Sequence, residues 1–382
     1  MDIQKIKNNF EREFNIKGEM LFSCGGRFEI LGNHTDHNHG LCLAATCNLC
    51  ITAAVSKVDD NSVIFVSEGF PADHLDLSNL EIVSKETGKS AALIRGVAKY
   101  LSDHGFKVGG FRAYSESSIF RGAGVSSSAA FELLVGQIYN VLFNEGKIDK
   151  LTLAKAGQYA ENVYYGKASG LLDQIGVSYG GVSYIDFGDI DNPKVEHVPF
   201  AFKDLHFLII NTGGDHSNLS HLYAEIPQDM YAAARSAGVN YLRDTSFESL
   251  NKEAIEERMI HRAIHFYSEN ERVLSAVEAL KNQDQAQFLE AINGSRISST
   301  NYLKNMMVEG KYEGSPLEAC DLFMKITNGE GAIKINGGGF AGSVIAVIPA
   351  HLLNKVIKEM GEVYGQNNVK EVFIREEGPS LL

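Results

Sequence analysis

Gly122-Ala-Gly-Val-Ser-Ser-Ser-Ala129 joins a segment of alternating apolar and polar residues (Val108 to Ser117) to an apolar pattern at helical spacing: Ala129, Ala130, Phe131, Leu133, Leu134, Ile138 and Leu142. Gly122 and Gly124 permit positive φ and close backbone approach, and Ser126 stands where a helix N-cap belongs. A loop of this kind aims free N–H groups and the positive end of a helix dipole at one point, which suits an anion, most often a phosphate. No Lys-Ser or Lys-Thr closes it, so it is not a Walker A loop, and the third glycine of a dinucleotide loop is missing. A plain turn with an ordinary cap accounts for the same string.

A second cluster lies in Cys24-Gly-Gly-Arg-Phe-Glu-Ile-Leu-Gly-Asn-His-Thr-Asp-His-Asn-His-Gly40, where Arg27, Asn33, His34, Asp36, His37, Asn38 and His39 crowd a segment bracketed by glycines. So many directional polar groups are costly to fold and mark a binding loop. The histidines at 34, 37 and 39 precede Cys42, Cys47 and Cys50, donors that suit zinc. The cysteine spacing is not the paired CxxC kind, however, and Cys42 to Ile51 reads as a mostly apolar buried strand. Further on, Glu161 and Asp173 taken alone are a solvated helix acid and a turn former.

Together these strings resemble the GHMP kinases, the family of galactokinase, homoserine kinase and mevalonate kinase. The glycine-serine loop is similar to that family's GLGLSSSA-type phosphate loop, and residues 25–40 are similar to the galactokinase signature GRVNLIGEHTDYNGG. Glu161, Gly170, Asp173 and Gln174 keep the register of AE…G…CGIMDQ, and Ala332 to Ser343 is similar to KMTGAGFGGC. Residues 211–223 resemble TNVRHSLASSEYP through His216, Ser217 and Tyr223. The resemblance implies an α+β, two-domain GHMP kinase fold: a domain like ribosomal protein S5 domain 2 over residues 1–195 and a ferredoxin-like domain over residues 196–382.

It also implies a reaction, transfer from ATP to the anomeric hydroxyl of galactose, with Asp173 as catalytic carboxylate and Arg27 assisting at the anomeric oxygen. Asn33, His34, Asp36, His37, Gly170 and Tyr223 would meet the sugar. Gly122, Ala123, Gly124, Val125, Ser126, Ser127, Ser128 and Ala129 would wrap the ATP phosphates, and Ser128 with Glu161 would ligate Mg²⁺ through oxygen. Three positions depart from the pattern: Asn33 for Glu, His37 for Tyr, and Asp215 for an Arg near the phosphates, with Arg121 the nearby cation that could replace it. Plant galacturonate kinases resemble the chain at the first two, which makes galacturonate the alternative sugar. A non-catalytic sensor of sugar and ATP is the other alternative, and Ser128-Ala129, Asp173 and Arg27 favour the enzyme over it.

These residues need a scaffold, and composition supplies material for one. The chain has 382 residues, 44% of them apolar, enough for one large or two ordinary cores. A net charge of −13 argues against a nucleic-acid or anionic-membrane partner and requires any nucleotide site to bring local donors. No apolar run reaches the roughly 20 residues of a membrane span. The N-terminus (Ile3, Ile6, Phe10, Phe14) reads as an amphipathic helix, and five cysteines, an odd number, suit a reducing cytoplasmic setting. Helix Leu151 to about Tyr165 should carry Glu161, and the helical run Ile260, Ala263, Ile264, Tyr267, Val273, Leu274, Val277, Leu280 reads as core. No protein partner is inferable.

Overall fold

The computed structural model describes residues 1–214 and 219–382. Asp2 caps the first helix, α1 (Ile3–Phe14), by accepting from the Lys5 N–H at 3.1 Å, and Ile6 and Phe10 bury its apolar stripe. The long strands β1 (Met20–Leu31) and β2 (Leu41–Lys57) follow, then β3 (Ser62–Ser67), β4 (Asp73–Asp76), helix α2 (Ser90–Asp103) and β5 (Phe111–Ser117). Three helices come next: α3 (Ser127–Asn144), α4 (Lys150–Tyr159) and α5 (Leu172–Ser178). Strands β6 (Val182–Asp186), β7 (Lys194–Val198) and β8 (Leu205–Asn211) lead to helices α6 (Ser220–Ser236), α7 (Glu257–Asn282), α8 (Gln285–Ser298) and α9 (Pro316–Thr327). The chain closes with β9 (Ala332–Asn336), β10 (Ser343–Pro349), α10 (Ala350–Tyr364), β11 (Val369–Val372) and β12 (Ser380–Leu381).

Two sheets organise these elements. In the first the order is β12-β1-β2-β5-β3-β4, with β6 on the opening half of β2 and β7 beyond it. Among the described residues only β3 and β5 run parallel. The second sheet has the order β11-β8-β10-β9 and is antiparallel throughout. In chain order that is the β-α-β-β-α-β ferredoxin-like arrangement, with α6 to α9 between its first two strands. The outcome is an α+β fold.

Hydrophobic patterning explains the layers. Phe22, Val55, Phe65 and Phe111 on the first sheet pack against Val97, Leu134, Ile138 and Tyr139 of α2 and α3. On the opposite face, Phe28 and Leu43 meet Phe207 and Ile345 of the second sheet, with Val273 and Phe288 of α7 and α8. The far face of the second sheet is covered by Phe323 of α9 and by Val356 and Met360 of α10. The two sheets therefore share one apolar layer, and β1 lies in it.

Two local irregularities aim the candidate residues. The ladder between β1 and β2 slips between Gly25 and Arg27 and again between Glu29 and Leu31. Such bulges turn a strand and redirect its side chains. At Gly26 a Cβ would collide with the Val125 carbonyl oxygen, which accepts the Arg27 N–H at 2.9 Å. Strand and phosphate-type loop thus meet backbone to backbone. Gly26→Ala should force them apart and cost about 1–3 kcal/mol, the usual scale of overpacking. The urea midpoint should fall with an unchanged slope; an unmoved midpoint would contradict this close approach.

Candidate active site

Helix α3 begins at Ser127, and Ser126 occupies the N-cap position in a left-handed conformation, φ 54°. Its hydroxyl does not cap the helix as expected from sequence; it donates to Asp173 Oδ2 at 2.5 Å. The left-handed backbone turns the side chain away from the helix and toward the carboxylate at the start of α5. Asp173 also takes the Arg27 guanidinium on Oδ1, at 2.8 Å from Nε and 2.7 Å from the terminal nitrogen. Burial pushes the Asp173 pKa up, but Arg27, the Ser126 hydroxyl and Lys167 outweigh it and hold the carboxyl below its ordinary range.

The other end of Arg27 donates to the Gly124 carbonyl at 2.8 Å, and Asn336 donates to the same oxygen at 3.0 Å. Asn336 in turn accepts the Glu29 N–H at 3.1 Å, so the third glycine motif locks the phosphate-type loop to β1. Within the loop, Gly122 and Gly124 have φ of 80° and 69°, while Ala123, Val125 and Ala129 bury their side chains and leave only backbone to a ligand. Ser127 is exposed, as is Arg121 at the loop entry. Asp215, His216 and Ser217 lie outside the described residues.

Helix α4 gives way to one π-helical turn, Ala160–Tyr165, rather than continuing as regular helix. Such turns widen a helix and frequently occur at functional positions. Glu161, far from being solvated, is only 1% exposed. It accepts from the Ser128 hydroxyl at 2.9 Å and from Lys167 at 2.7 Å. Gln174 bridges it to Glu132, at 3.2 and 3.0 Å. Burial first, then the charge of Glu161, raises the Glu132 pKa well above the ordinary carboxylate range. Ser128 Oγ and the Glu161 carboxylate form an oxygen pair within one hydrogen bond of each other, a donor set that suits a hard divalent cation.

The residues of the 33–39 loop part company. Asp36 sits against Gly170, where a Cβ would strike its carboxylate, and His37 Nε2 lies 3.5 Å from Asp36 Oδ1. These three share a cavity of about 240 Å³ with Tyr231 and Tyr241. His34 turns inward, 2.8 Å from the Gly338 carbonyl, and burial followed by the neighbouring His37 pushes its pKa down to about 3. His39 stacks on Tyr241 with centroids 3.8 Å apart. The three imidazoles therefore serve separate partners, and Cys42 and Cys47 are buried in β2. Tyr223 donates to the Gly339 carbonyl at 2.8 Å.

Asn33 is 1% exposed and its amide is fully engaged: it donates to Glu29 at 3.1 Å and to the Gly337 carbonyl at 2.7 Å, and accepts from Asn305 at 2.8 Å. Glu29 is paired with Lys334 at 2.8 Å, a lysine with no exposed surface. Sequence reading passed over Glu29, Glu132, Lys167, Asn305 and Lys334. A lysine inside the apolar strand Ala332-Ile-Lys-Ile was the one legible signal, since a buried cation demands a partner; Asn305 carried none.

Comparison with known proteins agrees with this geometry. The family described as "Galactokinase galactose-binding signature" matches residues 8–57, and "GHMP kinases N terminal domain" matches residues 92–181. The galactokinase of Lactobacillus helveticus is 30% identical over 379 residues, covering 95% of this chain and 94% of its own. That of Limosilactobacillus fermentum is 28% identical over 376 residues, with 95% and 94% covered. Among solved structures, Lactococcus lactis galactokinase complexed with galactose superposes with a TM-score of 0.86 over all of both chains, at 24% identity. Methanococcus jannaschii mevalonate kinase superposes with a TM-score of 0.66 at 17% identity, covering 93% of this chain and 98% of that one. Similarity of this extent, 30% identity over 95% of the chain, makes the chain a member of the galactokinase family within the GHMP kinase superfamily.

Proposed function

We propose that the protein transfers the γ-phosphoryl group of ATP to the anomeric hydroxyl of galactose, releasing ADP and galactose 1-phosphate. The observation that carries this is the Asp173–Arg27–Ser126 constellation, an ionised carboxylate held at the mouth of an anion-binding loop. The active site lies between a first domain ending near residue 195 and the domain that follows. Phosphoryl transfer through a loose transition state asks mainly for alignment and charge stabilisation. The Gly122–Ala129 backbone holds the phosphates, and Asp173 accepts a hydrogen bond from the anomeric hydroxyl in place of the one from Ser126. The hydroxyl proton passes to Asp173 as the new P–O bond forms and the bond to ADP breaks. A carboxylate with a depressed pKa is a weak base, so it orients the hydroxyl early and takes the proton late. Arg27 stabilises the charge on both oxygens. Ser128 and Glu161 would hold Mg²⁺, which supplies neutralisation of phosphate charge when bound.

Galactose is preferred to galacturonate because the similar proteins are galactokinases, and Asn33, the departure that raised galacturonate, is buried with its amide engaged by Glu29, Gly337 and Asn305. ADP release with Mg-ATP and a panel of galactose, galacturonate, arabinose, glucose and N-acetylgalactosamine tests the assignment; turnover of galacturonate but not galactose would reverse it.

Asp173→Asn should lower kcat by about 100-fold or more, the scale of general-base catalysis, with ATP affinity by calorimetry unchanged. Because the pKa is depressed, the carboxylate stays ionised down to below its reference value of about 3.9. The wild-type rate should therefore show no limb from Asp173 between roughly pH 5 and 9. An Asn variant within a few-fold of wild type, or an acid limb near pH 6 that the substitution abolishes, would rule out this role.

Ser128→Ala and Glu161→Gln should each raise the Mg²⁺ concentration for half-maximal rate by about 10-fold or more. Identical Mg²⁺ titrations in wild type and both variants would remove the pair from the metal.

Asn33→Glu places a second buried carboxylate against Glu29 with Lys334 as the shared cation, and should destabilise by about 3 kcal/mol or more. Exchanging both residues, Glu29→Asn with Asn33→Glu, leaves one carboxylate for Lys334 and should recover most of that loss. Urea melts of the two single variants and the double variant measure the coupling; strictly additive effects would show that the two side chains do not interact.

A further inference from the structure

The loop from Gly32 to His39 has an expensive backbone. Gly32, His34 and His39 have φ of 99°, 59° and 60°, and the latter two are not glycine. Left-handed non-glycine residues persist where their surroundings impose them. The imposing groups come from α7, on the other side of the apolar layer. Glu269, without exposed surface, accepts the Gly32 N–H at 3.0 Å and the Asn33 N–H at 3.3 Å, both on Oε1. The Ser295 hydroxyl donates to the same oxygen at 2.7 Å, and Arg272 holds Oε2 at 2.7 Å. One turn earlier, His265 is equally buried, with Nε2 2.9 Å from the Asn33 carbonyl and Nδ1 2.9 Å from Ser298 Oγ. A carbonyl only accepts, so Nε2 carries the hydrogen and Nδ1 accepts from the serine. Burial lowers the His265 pKa, consistent with a neutral ring. Asn270, next to Glu269, takes the Leu41 N–H at 2.7 Å where the loop rejoins β2.

We propose that His265 and Glu269 are positioning residues for the sugar: they clamp the backbone of Gly32 and Asn33 and so set the direction in which His34 and Asp36 leave the loop. The N–H groups of Gly32 and Asn33 and the Asn33 carbonyl are taken by α7, while the Gly32 carbonyl accepts from Thr35 within the loop. The remaining bonds of the pair go to Ser295, Ser298 and Arg272, on α8 and α7. The clamp therefore acts on the sugar side of the site, whereas the Gly122–Ala129 loop is held by Arg27 and Asn336.

The inference rests on the sugar-kinase reading and separates from it in one set of assays on the full chain. Steady-state KM values for galactose and for ATP are measured in wild type, His265→Ala, His265→Gln and Glu269→Gln, together with amide hydrogen exchange over residues 32–40 in the absence of sugar. Removing the imidazole should raise the galactose KM by about 10-fold, the scale of one lost buried hydrogen bond, and leave the ATP KM within about twofold. Exchange over 32–40 should quicken, Glu269→Gln should act in the same direction, and His265→Gln, which restores an amide donor, should return the galactose KM most of the way. Parallel rises in both KM values that His265→Gln fails to rescue would mark a merely structural role and overturn the proposal, as would an unchanged galactose KM in a folded His265→Ala protein. Should His265→Ala not fold, Ser298→Ala frees Nδ1 and lets the tautomer change: a raised galactose KM supports the clamp, and an unmoved one overturns it. A wild type without galactose turnover would overturn the substrate reading instead, while exchange over 32–40 still decides the clamp.

Discussion

A guanidinium with little water around it must find both its counter-charge and its hydrogen-bond partners inside the protein. Arg27 is in that position, and it satisfies the requirement by reaching two pieces of chain distant in sequence. Its backbone N–H is taken by Val125, its terminal nitrogen by Gly124, and its charge by Asp173. The sugar signature on β1, the phosphate-type loop and the start of α5 are thereby fixed relative to one another at a single residue. Removing the charge would leave Asp173 facing a buried oxygen-rich corner with Lys167 as its remaining cation. The same pairing that fixes these segments also holds the Asp173 carboxyl below its ordinary range.

Charge is balanced locally in a chain that is strongly acidic overall. Around Ser128 the carboxylates of Asp173 and Glu161 face Arg27 and Lys167, two charges of each sign. Glu132 would upset that balance if ionised, but its burial and the nearby Glu161 favour its neutral acid. Gln174 stands between the two glutamates and donates to both, which keeps the buried acids apart without adding charge. The charges around the start of α3 are therefore close to balanced despite the −13 of the whole chain.

Local pattern made the glycine-serine loop, the amphipathic first helix and the strands around Phe111–Ser117 and Leu41–Lys57 legible, because each is decided by residues close together in sequence. Asp173 and Arg27 were legible as members of motifs, although their contact across 146 positions was not. What sequence could not reveal depends on long-range packing. Ser126 looked like a cap, yet on its left-handed backbone the hydroxyl goes to Asp173, 47 positions away. Glu161 looked solvated because nothing nearby in sequence shows that α4 opens into a π-helical turn beneath α3. Asn33 read as a sugar contact from its place in the motif; its amide is consumed by Glu29, Gly337 and Asn305, from three separate segments.

Helix α7 shows how the two halves of the molecule depend on each other. Val273, Val277 and Leu280 pack into the layer shared by both sheets, Ala263 and Tyr267 join a separate cluster with α6, and Leu274, expected in the core from its spacing, is exposed. The same buried face carries His265 and Glu269, polar groups that are tolerable there only because a backbone turn from the first sheet supplies their partners. That turn is equally dependent: its N–H groups and carbonyl would be orphaned if α7 moved away. Packing brings the surfaces together without direction, whereas these few bonds fix their register. A loop with an unfavourable backbone is thereby kept in one conformation by residues from a distant helix.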